Sequence, residues 1–239
     1  MRKLTLALAL LFLLHGSAQA SSSRNFDNAN DEITMGDVLD ITTGNGSWGA
    51  WAKTTEDASN DTIIGKQDNA SNDGWALHTS TTDPAIASAG DGTEEAACTG
   101  GVDPDGVWVF YAVNWDGSAN TIDLYANGAL DCTNTTANVD DITTADQLQL
   151  GETDDDLEDM NGLIAYAFLD NTRVLADWEI QELRFKPDYA ELLSGFWPVW
   201  GNDSPELDLS ANANTGTIVA GTTASTDGPP IMFGGGLPL

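Results

Sequence analysis

A run of carboxylates, Glu152-Thr153-Asp154-Asp155-Asp156-Leu157-Glu158-Asp159, is the densest set of potential metal ligands in the chain. Hard cations such as calcium take oxygen donors that converge on one point. Asp154 and Asp156 are therefore candidate calcium ligands, and a solvated acidic loop is the competing reading. A second set, Asp27, Asn28, Asn30 and Asp31, offers the same donors near the start of the chain, with Asp27 and Asp31 as candidates. Ordinary turn chemistry would place Asn and Asp there as well.

Catalysis has less to build on. Hydrolysis of a glycosidic bond needs two placed carboxylates, and no Glu-x-Asp-x-x-Glu string occurs. His78 is the only histidine outside the first twenty residues, and no Gly-x-Ser-x-Gly elbow marks a nucleophile. We nominate no catalytic residue and expect a non-enzymatic protein. Carbohydrate contact instead combines an aromatic platform with amide or carboxylate oxygens. Eight tryptophans are available, most of them needed for packing at strand spacing. Those facing away from the expected core nominate His78, Trp108, Phe110 and Asn114 as carbohydrate-binding residues.

Cys98 and Cys132 are the only cysteines. Paired, they would close a loop of about 35 residues and stabilise the fold by roughly 3 to 4 kcal/mol on the chain-entropy model; two buried thiols are the alternative. Neither has Cys-x-x-Cys spacing, so a zinc or redox centre has no support.

The elements that must position these residues sit in a chain of 239 residues, 41% apolar, with 38 Asp plus Glu against 8 Lys plus Arg and a net charge of −30. That is enough apolar content for a sizeable core in one domain. The charge argues against nucleic acid and against anionic membrane surfaces as partners. Met1-Arg2-Lys3, the apolar run Leu4 to Leu14 and Ala18-Gln19-Ala20 form the pattern of a secretory signal peptide over residues 1–20. The apolar run is too short to span a bilayer, so no membrane insertion is expected. Export suits a disulfide. The acidic mature surface attracts divalent cations and suits a saline exterior, where salt screens self-repulsion.

Short alternating apolar segments separated by Gly, Asn, Asp and Thr predict an all-β, two-sheet sandwich. Strands are expected at 31–37, 47–53, 62–67, 74–80, 107–115, 120–126, 147–151 and 163–169. Asn127-Gly128 marks a tight turn, and 175–185 is the one helical stretch, with Leu175, Trp178 and Leu183 as its apolar residues. Alternation puts Val109, Tyr111, Val113 and Trp115 on one face of their strand, with Trp108, Phe110, Ala112 and Asn114 on the other. Trp75 and Leu77 are assigned to the core, opposite Ala76 and His78.

Several segments, in order, resemble the laminin G-like members of the concanavalin A-like lectin/glucanase superfamily. Phe26-Asp27-Asn28-Ala29-Asn30-Asp31-Glu32-Ile33 is similar to that family's "FDGxxDYV" opening, and Ser47 to Lys53 to its "FTISAWVK" strand. Thr62 to Lys66 with Gly74-Trp75-Ala76-Leu77 resembles "IVSKG…GWAL". Asp105 to Gly117 with Leu124-Tyr125-Ala126-Asn127-Gly128 resembles "DGxWHHVAVTYDG…LYVNG", and Gly162-Leu163-Ile164 with Leu175 to Ile180 resembles "GxIDEVRIYNRALSxxEI". The resemblance implies an antiparallel jelly roll. It departs at Ala165-Tyr166, where the family has an Asp-Glu pair whose acid often helps hold calcium. It departs again at Ala176, where the family's Ser would begin a capping box with Glu179. Phe196 to Trp200, followed by Asp208 to Thr217, resembles a segment that usually opens such a domain. A circularly permuted domain over residues 21–225 follows, with residues 195–220 supplying N-terminal strands and 226–239 an irregular extension.

The superfamily hosts lectins, adhesion modules, enzymes and coats, so the fold does not deliver function. The expected role is a secreted, non-enzymatic carbohydrate-binding or adhesion module for glycans or surface polysaccharide, with calcium as the candidate cofactor. The alternative is a virion, coat or appendage component whose jelly roll contacts other protein subunits. Asn-x-Ser/Thr sequons at Asn45, Asn60, Asn69, Asn134 and Asn202 arise readily in a chain this rich in Asn and Thr.

Overall fold

Apolar residues recurring at every second position draw the chain into strands whose inner sides meet between two sheets. The computed structural model describes residues 22–27, 30–42, 44–55, 60–68, 72–80, 84–136, 138–153, 158–201 and 204–231. In chain order the strands are β1 (Ser23–Asp27), β2 (Glu32–Gly36), β3 (Asn45–Thr54), β4 (Thr62–Asp68), β5 (Asp73–Thr79), β6 (Ala85–Asp91), β7 (Glu95–Thr99) and β8 (Val109–Asp116). Then come β9 (Thr121–Ala126), β10 (Ala129–Thr135), β11 (Leu148–Leu150), β12 (Asn161–Asp170), helix α1 (Asp177–Phe185) and a 3-10 turn at Pro187–Leu192. The last strands are β13 (Gly195–Trp197), β14 (Thr217–Val219) and β15 (Thr223–Ser225).

One sheet runs β10-β9-β8-β3-β12-β1-β15, with β13 also on β12; the other runs β14-β2-β11-β4-β5-β6-β7. Neighbouring strands pair antiparallel, as in Trp48↔Val113 and Ala76↔Ser88. All eight segments expected from alternation are strands, and the helix occupies its expected stretch. The strands that alternation missed carry weak signals. β6 (AIASAGD) and β7 (EAACT) are built of small residues, which have little β preference of their own. β10 is an edge strand with no buried residue.

The inner layer holds Val109, Tyr111, Val113 and Trp115 of β8, and Trp75 and Leu77 of β5, as assigned from alternation. Trp48 of one sheet and Trp75 of the other are fully buried with ring centroids 4.7 Å apart, which pins the sheets together at mid-strand. Gly49 allows β3 and β8 to approach: a Cβ there would stand 2.2 Å from the Tyr111 carbonyl oxygen. Asn127 and Gly128 both have positive φ, 52° and 79°, as a two-residue hairpin of primed type requires.

Two further devices position the surface. Cys98 on β7 and Cys132 on β10 form a disulfide with Cα atoms 6.1 Å apart, tying together one edge of each sheet. On the outer side of the eight-stranded sheet lies a second apolar layer, in which Trp51, Phe110, Tyr125 and Phe168 pack with Leu175, Ile180, Leu183 and Phe196. The helix covers part of that sheet. Its entry keeps half of the missing capping box, because the Glu179 carboxylate accepts the Ala176 N–H at 2.9 Å.

The C-terminal segment enters both sheets: β13 pairs β12, β14 pairs β2 and β15 pairs β1.

Candidate functional site

The four residues nominated for carbohydrate contact do not form one surface. Phe110 is buried, with its ring 5.6 Å from Trp51 and 6.1 Å from Phe168. Asn114 is also buried; its amide oxygen accepts from Ser47 Oγ at 2.6 Å and from the Leu175 N–H at 3.2 Å, and its amide nitrogen donates to the Leu175 carbonyl at 2.9 Å. Alternation turned both away from the inter-sheet core correctly, but that outward side is covered by α1 and its flanks. Phe110 and Asn114 therefore hold the second layer together and offer no surface to a ligand.

Trp108 is half-buried, and its indole N–H donates to the Asp227 carboxylate at 2.9 Å. Asp227 also meets Lys53 Nζ at 2.7 Å. Lys53 first, and then the indole N–H, hold the Asp227 carboxyl below its ordinary range. The irregular segment after β15 thus crosses back to β3 and the start of β8.

His78 lies on the outer face of the other sheet. Its Nδ1 is 3.0 Å from Glu158 Oε2, and Glu158 also accepts from the Asn60 amide at 2.9 Å and from the Thr62 hydroxyl. Burial would raise the Glu158 carboxyl, but the hydrogen bond and charge of His78, with Asn60 and Thr62, bring it below the ordinary value. This cluster fastens the end of the acidic run to β4 and β5. Glu158, counted in sequence among potential cation ligands, is a buried anchor.

Asp27 and Asp31 do come together. The charge of Asp31 holds the Asp27 carboxyl above its ordinary range. Asp31 itself is buried and directs both oxygens at N–H donors, Oδ2 at Asp27 and Oδ1 at Gly221. Calcium takes about six to eight oxygens, and no group of three or more His, Cys, Asp or Glu converges among the described residues. In the described structure this pair acts as a backbone clamp. Asp154 and Asp156 lie outside the described residues. The family's Asp-Glu position is likewise apolar here: Ala165 and Tyr166 are buried in the second layer, at a register shift in β12.

The residue that alternation and helical periodicity missed is Trp178. It is 60% exposed, and its ring stands edge-on to Tyr189 at 6.1 Å between centroids. The Tyr189 hydroxyl donates to Glu179 Oε1 at 2.9 Å, while Glu179 Oε2 meets Arg173 Nη1 at 2.8 Å. The Arg173 hydrogen bond pulls the Glu179 carboxyl down to about 2, against the opposing effect of burial. The aromatic pair thus rests on a buried, ionised carboxylate at the first turn of α1. The signal in the sequence is one of phase: Ile180 and Leu183 form the buried stripe, and Trp178 is two and five residues from them, off that stripe.

A smaller feature lies near Trp200, which meets Tyr166 edge-on at 6.0 Å between centroids. A cavity of about 110 Å³ is lined there by Pro198, Trp200, Pro205, Glu206, Leu207 and Leu209.

The family model for the concanavalin A-like lectin/glucanases superfamily, of laminin G type, matches residues 27–175. No curated protein matches the chain. Among solved structures, a candidate carbohydrate-binding protein from Bacteroides ovatus superposes with a TM-score of 0.66 at 14% identity, covering 88% of this chain and 61% of that one. A heptameric SAP-like pentraxin from Limulus polyphemus gives 0.55 at 10% identity, over 69% of this chain and 82% of its own. The CBM40 of the Ruminococcus gnavus IT-sialidase, bound to α2,3-sialyllactose, gives 0.53 at 17% identity, over 69% of this chain and 98% of its own. At these identities the likeness is one of fold. Two antiparallel sheets in jelly-roll arrangement, the ordered motifs from Phe26 onward and a family model matched over more than half of the sequence together establish that the chain belongs to the concanavalin A-like lectin/glucanases superfamily.

Proposed function

We propose that this protein is an exported, non-enzymatic carbohydrate-binding module, with Trp178 as the platform on which a sugar ring stacks. The observation that carries the reading is the exposed Trp178, braced by the half-buried Tyr189, on a jelly-roll scaffold. A large aromatic ring left in water loses the burial that most tryptophans gain on folding, and an exposed tryptophan suits contact with the apolar face of a sugar. Tyr189 and Glu179 restrain the site before ligand arrives, which lowers the ordering cost of binding. Solved neighbours named for carbohydrate binding, from Bacteroides ovatus and Ruminococcus gnavus, support the same class of ligand.

The test is a glycan panel probed with the full chain and with Trp178→Ala, Trp108→Ala and His78→Ala. Trp178→Ala is expected to weaken binding about tenfold or more while leaving the melting temperature nearly unchanged, since the side chain is exposed. Loss confined to Trp108→Ala or His78→Ala would move the site to that face. A folded protein that binds nothing across a broad panel would remove the reading. Calcium enters it only through the acidic run at 152–159, and the same titrations in chelator test that contribution.

A further inference from the structure

We propose that Lys66 and Asp40 join in an intramolecular amide, with Asp37 as the proton carrier for its formation. Lys66 pairs with Trp75 in the β4–β5 register, so its side chain shares the inner side of the seven-stranded sheet with that buried ring. Only 1% of the Lys66 side chain is exposed. Its ammonium meets three oxygens: Asp37 Oδ1 at 2.5 Å, Asp40 Oδ1 at 2.9 Å and the Asp146 carbonyl at 3.0 Å. The segment after β2 is shaped to deliver both acids. Val38 and Leu39, between them, pack against the core, and Leu39 takes a φ of 58°, a left-handed conformation that is uncommon for a bulky residue. The Asn171 amide holds the Asp40 carbonyl at 2.8 Å.

The two carboxylates differ. Asp37 accepts a hydrogen bond from the ammonium, and its side chain is 55% exposed. Asp40 Oδ1 is buried, and although it lies 2.9 Å from Nζ it takes part in no hydrogen bond among the described residues. Nitrogen and carboxyl are thus held in contact without being hydrogen-bonded. A buried charge pair that lacks its hydrogen bonds is costly, and an amide removes both charges. In the step, Asp37 takes one proton from the ammonium and frees the Nζ lone pair, as a base within hydrogen-bond reach can. Nζ then bonds to Asp40 Cγ. One Asp40 oxygen leaves as water with two protons, the one carried by Asp37 and a second from the nitrogen. The third proton stays as the amide N–H, and Asp37 returns to its charged form, so no further reactant is needed. Fixing the amine against the carboxyl supplies the effective concentration that favours condensation. The link ties the segment after β2 to β4 across the short strand β11, in the half of the sheet away from the Cys98 bridge.

The test is the intact mass of the purified, reduced native chain, followed by peptide mapping. A mass lower by one water than its own sequence requires is expected, with a branched peptide that joins the segment of Asp40 to that of Lys66. This readout depends on no variant folding. Lys66→Arg, which keeps the cation, and Asp40→Ala should both show the full mass. Asp37→Ala should form the link about a hundredfold or more slowly after synthesis. Full mass in the native chain overturns the proposal. So does a water lost elsewhere, such as a succinimide at one of the Asp-Gly steps, which mapping would place in a single unbranched peptide. Formation at an undiminished rate in Asp37→Ala overturns the role given to Asp37.

Discussion

Arg24 in β1 and Glu206, 182 positions later, form an ion pair of 3.1 Å with side chains only 1% and 4% exposed. The other Glu206 oxygen accepts the Val199 N–H at 2.8 Å, and the Glu206 backbone pairs with Gly216. This acid adds a buried side-chain tie to the strand pairing of β12 and β15 with β1. Removing one member of a buried pair leaves a charge in a low-dielectric site. Glu206→Ala is therefore expected to destabilise by about 3 to 5 kcal/mol, read from urea unfolding followed by tryptophan fluorescence. A loss below about 1 kcal/mol would mean that the pair adds little to the strand pairing that already joins the C-terminal segment to both sheets.

The Cys98–Cys132 bridge joins β7 to β10, where the two sheets would otherwise be free to part at that edge. The double variant Cys98→Ala/Cys132→Ala should lose roughly 3 to 4 kcal/mol, since the bridge closes a loop across a sequence separation of 34. Calorimetry with and without reductant checks this: reductant should lower the melting temperature of the native chain and leave that of the variant unchanged.

Glu179 makes part of the stability dependent on acid. Its carboxyl falls from an ordinary 4.5 to about 2 because Arg173 holds the charged form. A depressed carboxyl contributes stability that is fully present above about pH 4.5 and is lost as pH falls toward 2. The contribution is roughly 3 kcal/mol at neutral pH. Glu179→Gln should be less stable than the native chain at pH 7, and the difference should shrink at pH 3. A constant difference across that range would contradict the assigned ion pair.

Asn114 is a bracket for the segment that launches α1, through its bonds to Ser47 and to both backbone groups of Leu175. Replacing it with Ala strands buried donors and acceptors, at about 2 to 3 kcal/mol. The variant should melt earlier yet, while folded, bind glycan as the native chain does, because Asn114 itself has no exposed surface. Unchanged stability with lost binding would return Asn114 to the ligand.

Alternation and composition, both properties of local sequence, determined the sandwich, the eight principal strands, the Asn127-Gly128 turn and the sides on which Trp75, Leu77, Val109, Tyr111 and Val113 lie. A strand's side-chain period is two, so which residues share a side follows from counting. What covers the second side does not, because the cover comes from residues far along the chain. Phe110 and Asn114 were turned outward correctly and are buried only because Leu175, Ile180, Leu183 and Phe196 pack over them. His78 and Trp108, alike in sequence as polar-tipped outward residues, lie on opposite sheets and are held by Glu158 and Asp227. The helix was evident in the sequence, but the exposure of Trp178 depends on the rotation at which Ile180 and Leu183 dock onto β3, β8 and β12. Local spacing sets the periodicity of an element, and only the packing of distant segments decides which of its outward residues meet solvent.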